Sequence, residues 1–259
     1  MAGRYRAGKT DFREYDEAPE GVRELYRLNH ERLTFDFVLA QQEKFRPGQR
    51  DRISMWETLE KLNELVDDSD PDTDLPQIAH ALQTAEKIRR DGGADWMQLV
   101  GLIHDAGKML CFYGEPQWAV VGDTFPVGCA WSDRIVYGEY FANNPDAMRP
   151  ELQTELGVYG EGCGLERAQL SWGHDEYLYR VLRDSKLPEE GLAMVRYHSF
   201  YPWHREGGYG RLMDTSDQKR LQWVEAFNPY DLYSKSEGAP DVAALRPYYQ
   251  GLIGRYLAG

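Results

Sequence analysis

The chain has 259 residues, 42% of them hydrophobic and 13% aromatic, which is enough to bury a substantial core and too apolar for a disordered chain. Its formal net charge of −13 argues against nucleic acid or an anionic membrane as a partner, because either favours a basic face, and it disfavours a highly phosphorylated substrate. Cys111, Cys129 and Cys163 are widely spaced with no Cys-x-x-Cys pair, the start lacks an apolar leader, and no apolar stretch reaches about 18 residues, so a soluble, cytoplasmic protein with reduced thiols is expected.

Residues 1 to about 18 are polar and read as irregular. From Pro19 to Phe45 the apolar residues Val22, Leu25, Tyr26, Leu33, Phe37 and Val38 recur at near-helical intervals, predicting one helix that ends at Pro47-Gly48. Ser54-Met55-Trp56-Glu57 is a capping box opening a helix with Leu59, Leu62, Leu65 and Val66 on one face. The acidic run from Asp67 to Asp74, interrupted by Pro71, breaks that helix. No register of this run supplies the glycine and glutamate of a calcium loop, which leaves a solvated loop or a wall of hydroxyl-accepting carboxylates.

Helices are expected over 76–90 and 95–106, joined by Gly92-Gly93. Residues 111 to 164 are rich in Gly, Pro, Trp and Cys, with one extended candidate at Trp118–Val121, and read as an irregular functional wall or lid. Helical patterning resumes at 165–184, 189–198, 216–227 and 240–257. With no repeat or composition break, a single all-α domain over 1–259 is the expected fold class.

Four histidines and two aspartates form a candidate metal-ligand set: His80, His104, Asp105, His174, His198 and Asp231. His80 is ten residues from Arg90 and His104 nine from Asp95, about 15 and about 14 Å of helix, so a hairpin brings the imidazoles to one height. His174 and His198 repeat that separation across Leu187-Pro188, and Asp231 follows Asn228-Pro229, where a turn past a helix end would aim its carboxylate. A lone histidine is more often a packing residue than a ligand, and His30 and His204 are read so, His204 being at most a supporting neighbour of His198. The pair His104-Asp105 is different: it ends the apolar run Leu99 to Ile103, where burying both groups without a partner is costly and a metal offsets the cost.

Six protein ligands suit two metals sharing a bridge, and imidazole with carboxylate, without thiolate, fits iron or manganese better than structural zinc. Lys108, four residues after His104, lies one helical turn further along the same face. This chemistry leaves hydrolysis and oxygenation both open.

The sequence strongly resembles the myo-inositol oxygenases, di-iron members of the HD-domain superfamily. The resemblance is carried by Asp67-Asp68-Ser69-Asp70-Pro71-Asp72, by Val100-Gly101-Leu102-Ile103-His104-Asp105-Ala106-Gly107-Lys108 and by Gly114 to Cys129. It continues through Ser171-Trp172-Gly173-His174-Asp175-Glu176-Tyr177, His198 to His204, Phe227 to Tyr233 and Leu245 to Ile253. It implies an HD-like helical bundle in which one iron takes His80, His104, Asp105 and Asp231, and the other takes Asp105, His174 and His198. It further implies a substrate shell of Arg13, Asp67, Asp68, Ser69, Lys108, Gly122, Asp123, His198 and Ser199, with Lys108 and Asp105 catalytic. The reaction implied is dioxygen-dependent, four-electron ring cleavage of myo-inositol to D-glucuronate at a mixed-valent Fe(II)/Fe(III) pair, by a monomer. Asp68 stands where the family pattern has Glu, and the segment before Arg13 is short. The competing readings are an HD-type phosphohydrolase, which requires a basic cluster at the metals, and a metal-binding regulatory protein.

Overall fold

Two helices stand where the apolar spacing predicts one. In this computed structural model, which describes Tyr15 and residues 18–48, 53–69, 76–234 and 240–257, α1 (Glu20–Arg32) stops at Leu33 and α2 (Phe35–Lys44) starts afresh. Thr34 is extended and its hydroxyl accepts from the Phe37 N–H, so a cap breaks the helix while the apolar period runs on through it. The capping box at Ser54 forms as expected, with Ser54 and Glu57 each accepting from the other's backbone N–H, and opens α3 (Met55–Leu62). Leu65 and Val66 fall beyond that helix, and Val66 is 64% exposed.

α4 (Gln77–Arg90) and α5 (Asp95–Ile103) form the expected hairpin around Gly92-Gly93. They pack closely because Gly101 has no side chain: a Cβ there would lie 3.1 Å from the Ala85 backbone. Leu82, Ala85, Ile88, Leu99, Val100 and Ile103 are fully buried between them, each large aliphatic side chain contributing roughly 1.5–3 kcal/mol. α5 ends at Ile103 rather than 106. The chain then tightens into 3-10 turns over Ala106–Tyr113.

The stretch 111–164 is irregular, as expected, with 3-10 turns at Gln117–Ala119, Gly138–Asn143, Pro145–Met148 and Pro150–Leu152. Trp118–Val121 is not extended; Ala119, Val120 and Val121 donate back to Pro116 and Gln117 instead. With Leu110 before it, this stretch packs a second core, including Val120, Phe125 and Phe141, against Tyr26, Leu33 and Val38 of the N-terminal segment.

The helix expected over 165–184 begins only at His174, giving α6 (His174–Leu182). The preceding backbone is occupied otherwise: Ser171 N–H donates to Phe125 O and Pro126 bridges Leu170, the single β-bridge among the described residues. α7 (Glu189–Tyr197), the short α8 (Tyr201–His204), α9 (Asp217–Ser234) and α10 (Val242–Tyr256) follow. α9 passes through Pro229 and continues past 227, so Asp231 rides on a helix rather than in a turn. Proline removes one backbone donor but need not stop a helix packed on both sides. The fold is all-α, and no helix among the described residues is long and apolar enough to cross a membrane.

Candidate metal centre

His80 projects from the first turn of α4 and Asp231 from α9 beyond Pro229. His104 caps α5, directly after its last residue Ile103. Asp105 follows it at φ −91°, ψ 0°, the bridge region, where the α-helix gives way to the 3-10 turns. His174 is the first residue of α6 and His198 caps α7. The six side chains converge, and none of the six residues is more than 9% exposed.

Backbone carbonyls fix the orientation of three rings. His104 Nδ1 lies 2.9 Å from Gly101 O, His174 Nδ1 2.8 Å from Val120 O and His198 Nδ1 2.9 Å from Val195 O. A carbonyl only accepts, so each Nδ1 carries a proton, and a neutral ring so held presents its Nε2 lone pair to the centre. Burial pushes the His174 pKa down, whereas at His198 burial is outweighed by Asp105 and Asp175, which push it up.

The carboxylates complete two triads around Asp105. Its Oδ1 is 3.4 Å from His174 Nε2 and 3.7 Å from His198 Nε2, while its Oδ2 is 3.6 Å from His104 Nε2 and 3.9 Å from His80 Nε2. Asp231 Oδ1 faces His80 and His104 Nε2 at 3.0 and 3.3 Å. Within each of the triads His80–His104–Asp105 and Asp105–His174–His198, one donor atom per residue lies within 4.8 Å of the others.

These donors fit metal ions. His174 Nε2 and His198 Nε2 are 3.1 Å apart. Two nitrogens at right angles, each about 2.1 Å from one ion, would be separated by about 3.0 Å. His104 Nε2 is buried, makes no hydrogen bond and faces two acceptor-only carboxylates. Cations between these groups turn repulsion into ligation. Burial alone would raise the Asp105 and Asp231 pKa values. Lys108 with the histidines outweighs it at Asp105, and His104 and His80 outweigh it at Asp231, holding both carboxyls well below the usual range.

Lys108 is buried against this cluster, its Nζ 2.7 Å from Asp105 Oδ2, 2.8 Å from Asp67 Oδ2 and 3.2 Å from Gln77 Oε1. Burial disfavours its charge, but the two carboxylates prevail and raise its pKa. Asp67 is held down to about 2: burial opposes ionisation, and Lys108 and Ser69 overcome it. Ser69 donates to Asp67 Oδ1 through both N–H and hydroxyl, and Asp68 N–H donates to Gln117 Oε1. Asp67 thus reaches the lysine that contacts Asp105, with Ser69 bonded to it from behind. Arg13 and Asp70 to Asp74 lie outside the described residues.

The loop carrying Gly122 and Asp123 is tied to both histidine helices. Val120 O accepts from His174 N–H as well as its ring, and Thr124 N–H donates to Ser199 O. Thr124 hydroxyl donates to the buried Asp175 at 2.6 Å. Asp123 accepts from Tyr26 OH at 3.0 Å and lines a cavity of about 190 Å³ with Tyr15, Arg134, Tyr201 and Arg205. Ser199 Oγ reaches 3.4 Å from His174 Nε2.

His30 and His204 take the packing roles expected. His30 stacks on Phe141 at 4.1 Å and contacts Val136 O through Nε2; His204 Nε2 contacts His198 O at 3.0 Å, supporting that residue's backbone. Sequence reasoning missed Gly107, where a Cβ would sit 1.8 Å from His174 O, and the Val120 carbonyl that aims His174. The Gly two residues after Asp105 was visible; its neighbour in space was not.

A family model for myo-inositol oxygenase matches residues 19–259. The chain belongs to the myo-inositol oxygenase family. It is 51% identical over 254 residues to a probable inositol oxygenase of Oryza sativa subsp. japonica, covering 95% of this chain and 82% of that protein. Against the inositol oxygenase of Danio rerio the identity is 50%, covering 97% of this chain and 92% of the relative. The Bos taurus inositol oxygenase is 49% identical, with 97% and 90% covered. The match to these inositol oxygenases spans all six converging histidines and aspartates, from the His80 helix to Asp231 on α9.

Proposed function

We infer that this chain is an inositol oxygenase that opens the ring of myo-inositol with dioxygen to give D-glucuronate, using two iron ions. The observation that carries the reading is the split carboxylate of Asp105, with one oxygen turned to His174 and His198 and the other to His80 and His104. His80, His104, Asp105 and Asp231 would hold one ion; Asp105, His174 and His198 would hold the other. When bound, the mixed-valent Fe(II)/Fe(III) pair supplies Lewis acidity and the electron exchange with dioxygen.

The protein's own groups then position the substrate. Lys108 stays cationic between Asp105 and Asp67 and donates to a substrate oxygen rather than removing its proton. Asp67, Asp68 and Asp123 accept from ring hydroxyls, Ser69 and Ser199 share hydrogen bonds, and the Gly122 backbone, at φ +108°, shapes the loop around the ring. Arg13 belongs to the same proposed shell. His198 serves both metal and substrate edge, and the buried surroundings of the cluster limit its contact with bulk water.

A neutral polyol suits this wall of carboxylates. A phosphoester does not, since Lys108 is the one cation contacting the cluster among the described residues and two carboxylates already hold it. The HD-type helical arrangement, a single domain, a monomeric state and a cytoplasmic location are parts of the same proposal; the three cysteines, all free, accord with a reducing compartment. Protein reconstituted with Fe(II) should bind two ions per chain and consume myo-inositol only with dioxygen present. Phosphoester hydrolysis that proceeds anaerobically, with myo-inositol untouched, would replace this reading by the hydrolase.

A further inference from the structure

The helices that bring His174 and His198 together are also joined by a buried ion pair. Arg196 Nε donates to Glu176 Oε2 at 2.7 Å, and the two side chains are 6% and 2% exposed. The guanidinium lies 4.5 Å from the Tyr179 ring, and its Nη1 donates to Tyr197 OH at 3.1 Å and Glu166 O at 3.3 Å. Arg180 Nε occupies the second Glu176 oxygen at 2.8 Å. No polar atom of this set contacts Asp105 or the histidine rings.

Its position in the helices gives it a consequence at the metal centre. Glu176 is two residues after His174 on α6, and Arg196 two before His198 on α7. Two helical residues turn through about 200°, so the ion pair holds α6 to α7 on the face turned away from Asp105. On the facing side His174 Nε2 and His198 Nε2 stand 3.1 Å apart, the separation that two ligands of one ion need. A fixed tie on the back face holds that spacing. Arg is suited to the task because its planar fork is held at once by a carboxylate, a carbonyl and a phenol, which a lysine cannot reproduce.

We propose that the Glu176–Arg196 ion pair is a positioning device for the His174–His198 metal position, setting that position's affinity while leaving the His80–His104 position unaffected. The inference rests on the two-metal reading above.

The test is an anaerobic Fe(II) titration of the full chain, resolved into its two equivalents, with His198→Ala identifying the equivalent that belongs to the His174–His198 position. The double variant Glu176→Leu/Arg196→Met removes both charges, so neither is left buried alone. It should bind the His80–His104 equivalent within about twofold of the parent and the His174–His198 equivalent at least tenfold more weakly, with Arg196→Lys between the two. Equal weakening of both equivalents, or no change in either, overturns the proposal. If the double variant fails to fold, Arg196→Lys decides: an unchanged His174–His198 equivalent overturns it. A parent protein that binds fewer than two ions refutes the two-metal reading itself, a result separable from these.

Discussion

Replacing Gly107 by alanine should damage the metal centre from a residue that offers it no ligand. The added Cβ would lie 1.8 Å from His174 O, 2.6 Å from its carbonyl carbon and 2.9 Å from its Cα, all of them backbone atoms. Real Cβ contacts hardly fall below 3.0 Å, so the start of α6 must retreat by about 1.2 Å or more. His174 is both the residue displaced and a proposed ligand, held by its N–H and Nδ1 on Val120 O, each at 2.8 Å. A 1 Å error in a reacting group costs on the order of 10²-fold in rate, and overpacking a filled interior costs roughly 1–3 kcal/mol. Gly107→Ala should therefore bind close to one iron per chain, lose about 10²-fold or more in kcat/KM, and melt several degrees lower. Iron per chain by a chromogenic chelator, steady-state turnover and a thermal melt measure these effects. Gly160→Ala, where a Cβ meets nothing within 4 Å, is the control and should change none of them. A Gly107→Ala protein with two irons and parental turnover would refute the claim that this close approach sets the site.

Asp105→Ala should lose iron from both positions together, since each Asp105 oxygen faces a different histidine pair, whereas Asp231→Ala should spare the His174–His198 position; site-resolved metal analysis separates the two patterns. Lys108→Met should retain iron yet lower turnover by about 10²-fold or more, as expected for removal of a group that orients or polarises substrate, and undiminished turnover at full iron content would end that role. His30 should make stability pH-dependent: burial depresses its pKa from 6.5 to about 4, so the folded chain refuses a proton that the unfolded chain accepts. Stability from this residue is complete above pH 6.5 and falls as the pH drops toward 4, by up to about 3 kcal/mol, and denaturant midpoints at pH 7 and 4.5 should show the loss shrinking in His30→Gln.

The ligand set was legible because its chemistry is carried by rare residue types and the hairpin separations are simple lengths of helix. His80 and His104 meet as the arithmetic around Gly92-Gly93 requires, and His174 and His198 meet across the turn before Pro188. Asp231 was recognised as a site candidate but given the wrong local structure, because Pro229 marks a helix end in an isolated chain and here α9 runs on through it. The break at Thr34 was hidden for the opposite reason: a cap there interrupts the helix without disturbing the apolar period. At 165–173 the residues read as helical, yet their backbone groups pair with the segment from Phe125 to Val127. The features that hold the centre in register were the least legible. Val120 O, the Gly107 approach and the Glu176–Arg196 tie each join segments far apart in sequence, and only the folded chain brings them together.

The most direct test is the stoichiometry of dioxygen consumed and D-glucuronate formed from myo-inositol, on protein loaded anaerobically with Fe(II) and a reductant and verified to hold two irons. One dioxygen per glucuronate, with neither uptake nor product in Asp105→Ala, is the result that four-electron ring cleavage at the paired site predicts. Neither dioxygen uptake nor glucuronate from verified two-iron protein would contradict the account.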